Sequence, residues 1–250
     1  ANEAALGRAL AVARRFAPKD TRFGVQLAHS GRKGSISRPW EGNKPLTDDQ
    51  DPWVTVAPSA IPFTQGWATP EALDEAGIER TIAGFVQAAT RAVRIGFDVI
   101  ELHAGHGYLL HQFLSPLSNL RADRWGGTPD NRARLLLTVA ERVRAAVPAQ
   151  IAPGMRRTTT DWAEGGVDTG DAVAVARQVK ALGCDYICAT GGFVVPPSGI
   201  PFGPGYQVHL AERIKHEAGI ATRAVGGITD PHQAEAIIAE GRADMVALAT

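Results

Sequence analysis

Six short apolar runs alternate with amphipathic helical stretches, and polar residues collect where the runs end. Together these features predict an α/β chain folded as a (β/α)8 TIM barrel, with six of its eight strands present and the first two absent. Taken in order, a helix-like stretch covers Asn2 to Phe16, and the first strand candidate is FGVQLAH, Phe23 to His29. The following strands are Phe97 to Ala104 (FDVIELHA), Gln150 to Arg156 (QIAPGMR), Asp185 to Thr190 (DYICAT), Ala221 to Gly226 (ATRAVG) and Asp244 to Ala249 (DMVALA). Nearly unbroken apolar character implies burial on both faces, as in a parallel sheet covered by helices.

The intervening stretches carry helical spacing. Ile78, Ile82, Phe85, Ala89 and Val93 form one stripe; Leu136, Ala140, Val143 and Val147 form a second; Ala172, Val175, Ala176, Val179 and Leu182 form a third. Thr128 before Pro129 and Asp230 before Pro231 read as N-caps followed by proline in the first turn. A further helix covers roughly Gln207 to Glu217. No G-x-G-x-x-G follows any strand, which weakens the alternative of a dinucleotide-binding doubly wound sheet. From Ser30 to Thr69 the chain is rich in proline and glycine, lacks periodicity and carries Trp40, Trp53 and Trp67. A loop of that length at the C-terminal end of a strand is expected to be a lid or a wall of the substrate pocket.

Bulk composition bounds the function. The 250 residues fit a single barrel domain, 1–250, and 44% hydrophobic with 21% charged residues is ordinary for a globular chain. A net charge of zero gives no basic surface for nucleic acid or membrane, and no apolar run approaches the roughly 20 residues that span a bilayer. If Cys184 and Cys188 lie on one strand they sit about 13 Å apart at roughly 3.3 Å per residue, too far for a disulfide. Two plain thiols suit a reducing, cytoplasmic setting.

The densest chemical signal is Glu101 to Gly127, ELHAGHGYLLHQFLSPLSNLRADRWGG. His103 closes a strand, His106 follows three residues later and Tyr108 two after that. Two imidazoles at a barrel rim can donate hydrogen bonds to one carbonyl oxygen and stabilise the enolate-like charge that grows as a conjugated C=C accepts hydride. A neighbouring phenol can supply the completing proton. The pair could instead hold a metal with His29, Glu101 or His111, although a catalytic zinc needs three protein ligands and H-E-x-x-H is absent. For His111 a core histidine bonded to backbone is the favoured reading. Arg156 ends a buried strand, so its charge requires an anionic partner, either a ligand or a barrel carboxylate such as Glu101. Gln26, between Val25 and Leu27, reads as a buried amide needing partners at both ends. Gly226 and Gly227 permit a close backbone approach to phosphate, or mark a tight strand exit.

The stretch HAGHGYLLHQFLSPLSNLRADRWGG, with GVQLAHSGRKGS before it and GMRRTTTDWAEGG after it, closely resembles the old yellow enzyme family, in particular its thermophilic-like branch with a His-x-x-His pair. The resemblance covers essentially the whole chain. It implies an FMN-dependent ene-reductase, an NAD(P)H-dependent flavin oxidoreductase that reduces the C=C bond of enones and enals with electrons from NADPH or NADH. Catalytic residues carried over are Tyr108 as proton donor and His103 with His106 on the substrate carbonyl. Cofactor-binding residues carried over are Gln26 at the flavin pyrimidine, Arg156 at its N1/C2 carbonyl edge and Gly226 at the FMN phosphate. No metal is implied. Asn131, Arg132, Arg134 and the Asp161-Trp162 pair read as structural. Dimers or tetramers are expected on the same ground. The family's first two βα units and the arginine after its last strand are not in this sequence, so an incomplete barrel is expected. A flavin barrel acting on acyl-thioesters would carry a four-thiolate cluster that two cysteines cannot make. A metal-dependent lyase and a non-catalytic binding module are the remaining readings.

Overall fold

The computed structural model describes residues 2–197 and 199–248. Helix α1 (Asn2–Phe16) leads to strand β1 (Gly24–Leu27). The long excursion that follows contains short 3-10 turns and strand β2 (Val56–Ala57), which pairs in parallel with β3 (Glu71–Ala72). The chain then runs α2 (Glu75–Arg94), β4 (Val99–Ala104), α3 (Leu109–Leu114), α4 (Pro129–Ala146), β5 (Ala152–Thr158), α5 (Thr169–Ala181), β6 (Tyr186–Thr190), α6 (Val208–Ala218), β7 (Ala221–Ala224), α7 (Pro231–Ala239) and β8 (Met245–Val246).

The main sheet has six strands in the order β1-β4-β5-β6-β7-β8, all parallel. Each crossover steps to the next position in the same direction. Right-handed crossovers then put the long crossover helices on one face, where they pack side by side: α2 on α4, α4 on α5, α5 on α6. This is a six-stranded arc of a (β/α)8 barrel, not a doubly wound sheet. The helices start where the sequence indicates. Thr128 Oγ1 accepts from the Asn131 amide, Asp168 from Asp171, and Asp230 from His232. The expected stripes face the sheet: Ile78, Ile82, Leu136, Ala172 and Val179 are fully buried in one core. Truncating Ile82 to Ala would cost about 2–5 kcal/mol in transfer and cavity terms.

The strand ends differ from expectation. β1 is shorter than Phe23 to His29 because one of its edges has no paired strand among the described residues. β5 begins at Ala152 and continues past Arg156 to Thr158, held against β6 by the Met155–Ile187 and Thr158–Thr190 pairings. The last strand is Met245–Val246, and Ala249 of the expected run lies outside the described residues. Cys184 and Cys188 are free thiols, as expected. Of the loop tryptophans, Trp40 and Trp53 are largely exposed, whereas Trp67 packs edge-on against Phe63. No helix among the described residues is long and apolar enough to cross a membrane.

Alternation along the strands and the observed register sort the inward side chains into two layers. Gln26, Glu101, Gly154 and Tyr186 form one layer. His103, Arg156, Cys188 and Arg223 form the next, nearer the C-terminal ends of the strands.

Candidate functional site

The β4 exit carries the histidines. His103 is the penultimate residue of β4 and only 5% exposed. After Ala104 the chain turns sharply. His106 sits at φ +54°, in the left-handed region that a side-chain-bearing residue adopts only when its surroundings hold it there. Three bonds hold it: His106 N donates to Thr158 Oγ1 (3.0 Å), Tyr108 N to the Gly105 carbonyl (3.0 Å), and Gly107 N to His111 Nδ1 (2.9 Å). Gly107 has φ +72°, and a Cβ there would run into the Phe193 carbonyl, so only glycine fits this turn.

The turn aims the two imidazoles at one another. Nε2 of His103 and Nδ1 of His106 lie 3.3 Å apart, and one oxygen placed off the line between them could sit within hydrogen-bond reach of both. The Tyr108 ring packs edge-on against His103 with centroids 5.0 Å apart. Burial lowers the His103 pKa to about 4, assisted by the Arg156 charge. Burial, with Arg156 and His103 adding to it, pushes His106 lower still. Both rings are therefore neutral across the physiological range and act as hydrogen-bonding groups, not as cations.

Lys33 was not singled out in the sequence. It reaches this site from the turn after β1, donating to the carbonyls of His106 (2.9 Å) and Phe193 (3.2 Å) beneath the Phe63 ring. Burial, with Arg32 nearby, lowers its pKa to about 8. Its signal in the sequence was the basic pair Arg32-Lys33 at the rim of a strand.

On the inner face, Glu101 accepts hydrogen bonds from Gln26 Nε2 (2.7 Å) and Tyr186 Oη (2.8 Å) and pairs with Arg223. The alternative of an Arg156–Glu101 ion pair is thereby overturned: Arg223 takes the carboxylate from three strands away. Among the described residues Arg156 has no carboxylate within salt-bridge distance, and its Nε is buried without a hydrogen-bond partner. Gln26 is exposed, not buried as its apolar neighbours suggested, because β1 lies at the sheet edge. A groove of about 550 Å³ runs along that edge between β1 and α2 and includes Gln26 and His29. Gly226 has φ +109° at the β7 exit, and a Cβ there would stand 2.6 Å from Gln207 Nε2 and 2.8 Å from the Tyr206 ring. The tight strand exit is thus explained by the chain itself, which packs its segment of residues 203–207 onto both glycines.

The remaining expectations sort clearly. His111 is a core histidine, its Nε2 donating to Asp161 Oδ1 at 2.8 Å. Asp161 also accepts from Ser115 Oγ (2.7 Å) and the Val167 amide (2.8 Å), and so ties the loop after β5 to α3. Burial works against the Asp161 carboxylate, but His111, Ser115 and Val167 outweigh it and hold its pKa below the usual value. Arg132 bonds the Leu114 carbonyl and Arg134 the Arg124 carbonyl, fastening the loop before α4. Arg157 points outward from the barrel, buried beneath α5 with Nη1 on the Ala172 carbonyl. Among the described residues no three His, Cys, Asp or Glu side chains converge as a metal-sized cluster.

The chain is similar to proteins of known activity. NADPH dehydrogenase of Geobacillus thermodenitrificans is 43% identical over 226 residues, covering 90% of this chain and 61% of that protein. NADPH dehydrogenase of Bacillus subtilis is 41% identical over 227 residues, covering 90% of this chain and 62% of that one. The chain therefore spans about three fifths of the length of these curated relatives. Among solved structures, 2-naphthoyl-CoA reductase bound to 2-naphthoyl-CoA superimposes with a TM-score of 0.77 at 28% identity, covering 89% of this chain and 35% of that one. Morphinone reductase in complex with tetrahydroNAD gives 0.75 at 26% identity, covering 98% of this chain and 66% of that one. The family described as NADH:flavin oxidoreductase / NADH oxidase matches residues 12–250, nearly the whole chain, and the chain belongs to that family.

Proposed function

We propose that this chain is the catalytic and FMN-holding part of an NAD(P)H-dependent ene-reductase that reduces the C=C bond of α,β-unsaturated carbonyl compounds. The observation that carries the reading is the pair of neutral imidazoles, 3.3 Å apart at the C-terminal rim of the sheet, beside an arginine that has no carboxylate partner among the described residues. Neutral imidazoles that can each turn an N–H toward a shared oxygen suit a developing oxyanion, and an unbalanced guanidinium suits an anionic ligand.

The residues present fit FMN. Arg156, with its orphaned Nε, would hold the N1/C2 carbonyl edge of the flavin, where negative charge gathers on reduction. Gln26 already donates through Nε2 to Glu101, leaving its carbonyl end for the donor of the pyrimidine edge. Gly226 would lend its backbone to the phosphate. Bound FMN supplies the hydride acceptor and donor chemistry, with NADPH or NADH as the source of electrons. His103 and His106 bind the substrate carbonyl oxygen and spread its charge, and Tyr108 passes its phenolic proton to the α-carbon. Arg223 neutralises Glu101 below, so that no free carboxylate opposes the oxyanion.

The full-length protein should purify yellow, release FMN on denaturation and bleach with NADPH. In single-turnover mixing, Tyr108→Phe should slow reoxidation by cyclohexenone at least tenfold while leaving reduction by NADPH within about twofold. Equal reoxidation rates for variant and wild type would remove Tyr108 as the proton donor.

A further inference from the structure

A chain of four polar side chains, three of them buried and His106 half-buried, leads away from the β4 exit. His103 Nε2 lies 3.3 Å from His106 Nδ1, His106 Nε2 lies 2.8 Å from Thr190 Oγ1, and Thr190 Oγ1 donates to Gln207 Oε1 at 2.8 Å. Thr190 is 1% exposed and Gln207 2%, so water has little access to this end of the chain. The polarity of the chain is set from its far end. Gln207 Oε1 only accepts, so the single Thr190 proton goes to it. Thr190 must then accept from His106, which places the His106 proton on Nε2 and leaves Nδ1 as a lone pair. That lone pair accepts from His103 Nε2–H.

In this resting arrangement only one of the two facing nitrogens is a donor. A carbonyl or phenolate oxygen between them needs both. We propose that Thr190 and Gln207 are positioning residues whose hydrogen-bond polarity sets the tautomer of His106, and that an oxygen ligand is bound by reversing the whole chain. On reversal the His106 proton moves from Nε2 to Nδ1, and the Thr190 hydroxyl turns to donate to Nε2. The Gln207 amide rotates so that its NH2 donates to Thr190. Protons are conserved, and no net charge appears in the buried site. Gly226 leaves room for this rotation, since a Cβ there would stand 2.6 Å from Gln207 Nε2. The inference rests on the oxygen-binding role proposed above, although the resting tautomer can be measured without it.

The test is nitrogen NMR of the ¹⁵N-histidine-labelled, flavin-loaded full-length protein, with and without 4-chlorophenol. Wild type should show His106 protonated on Nε2 when free and on Nδ1 with the phenol. In Gln207→Glu the carboxylate only accepts, so the proton should stay on Nε2 and the phenol should bind about tenfold more weakly. Gln207→Met releases Thr190, and the switch should survive with affinity within about threefold of wild type. Thr190→Ser should behave as wild type, and Thr190→Val should bind the phenol more weakly; these two decide the matter should Gln207→Glu fail to fold. A wild-type His106 already protonated on Nδ1 at rest, or a Gln207→Glu protein that switches and binds as wild type does, would overturn the proposal. Failure of wild type to bind the phenol at all would sink the oxygen-binding role and the ligand-driven reversal with it, while an Nε2 tautomer in the free protein would still support control by Thr190 and Gln207.

Discussion

Removing the Asp161 carboxylate should unfasten the turn that aims the histidines. Its side chain is fully buried, and three donors end on it: His111 Nε2, Ser115 Oγ and the Val167 amide. Asp161→Ala leaves all three without a partner in a site closed to water. At about 1 kcal/mol or more per orphaned donor, and about 3–5 kcal/mol for breaking a buried pair, the expected loss is about 3–5 kcal/mol. That is a large share of the roughly 5–15 kcal/mol by which a domain is stable. Asp161→Asn separates charge from shape. Its oxygen can still accept from His111, and the Ser115 hydroxyl can turn to accept from the new NH2. The Val167 N–H alone faces a donor it cannot satisfy, so about 1–3 kcal/mol should be lost. Urea unfolding of wild type and both variants reads the difference from the midpoints at constant slope. A loss under 1 kcal/mol for Asp161→Ala, or a greater loss for Asn than for Ala, would refute the three-donor account.

Other consequences are as direct. Gly107→Ala must leave φ +72° or push the Phe193 carbonyl away; a loss of about 1–3 kcal/mol and at least tenfold weaker phenol binding are expected, read by unfolding and flavin-absorbance titration, and unchanged phenol affinity would show that this turn does not aim His106. Because the folded pKa values of His103 and His106 lie below the unfolded value, the unfolded chain takes up protons first as pH falls. Their contribution to stability is whole above about pH 6.5 and is lost as pH drops toward about 4. Acid-unfolding midpoints should therefore move to lower pH in His103→Asn, and an unmoved midpoint would contradict neutral burial. Between pH 5.5 and 7 phenol affinity should show no histidine-like inflection; one in wild type would mean that a ring of the pair titrates there. Arg223→Met strands the Glu101 charge between Gln26 and Tyr186, so stability should fall by about 3–5 kcal/mol, whereas the double variant with Glu101→Gln should recover part of that loss; an additive double variant would refute the pairing.

What the sequence made legible was periodic or local. The stripes at Ile78–Ile82 and Ala172–Val179, the caps at Thr128 and Asp230, and the strand of residues 97–104 depend on neighbours within a few positions, and they stand where the pattern placed them. His103, His106 and Tyr108 could be read together because one turn carries all three. Partners that arrive from distant strands were hidden. Arg223 reaches Glu101 over 122 positions, and Gln207, at the N-cap of α6, reaches Thr190 back across the irregular segment between β6 and α6. The burial of Gln26 was misjudged for the same reason, since an apolar flank says nothing about whether a strand ends up at an edge.

The register also explains why two arginines on one face behave differently. Arg223 and Arg156 both point inward in the second layer, flanking Cys188. Glu101 stands one layer deeper, and the pleat sets it beneath His103 on the same strand. Arg223 leans down over the Tyr186 ring to meet that carboxylate, which consumes the anion of the lower layer. Arg156 is left with its charge directed toward the histidines, where it adds to burial in keeping them neutral. Arg156, with Lys33 close to His106, makes the potential there positive while the two imidazoles stay neutral. Under the proposed reaction, that combination favours an anion that forms as the substrate oxygen takes up charge, because His103 and a reversed His106 then both donate to it.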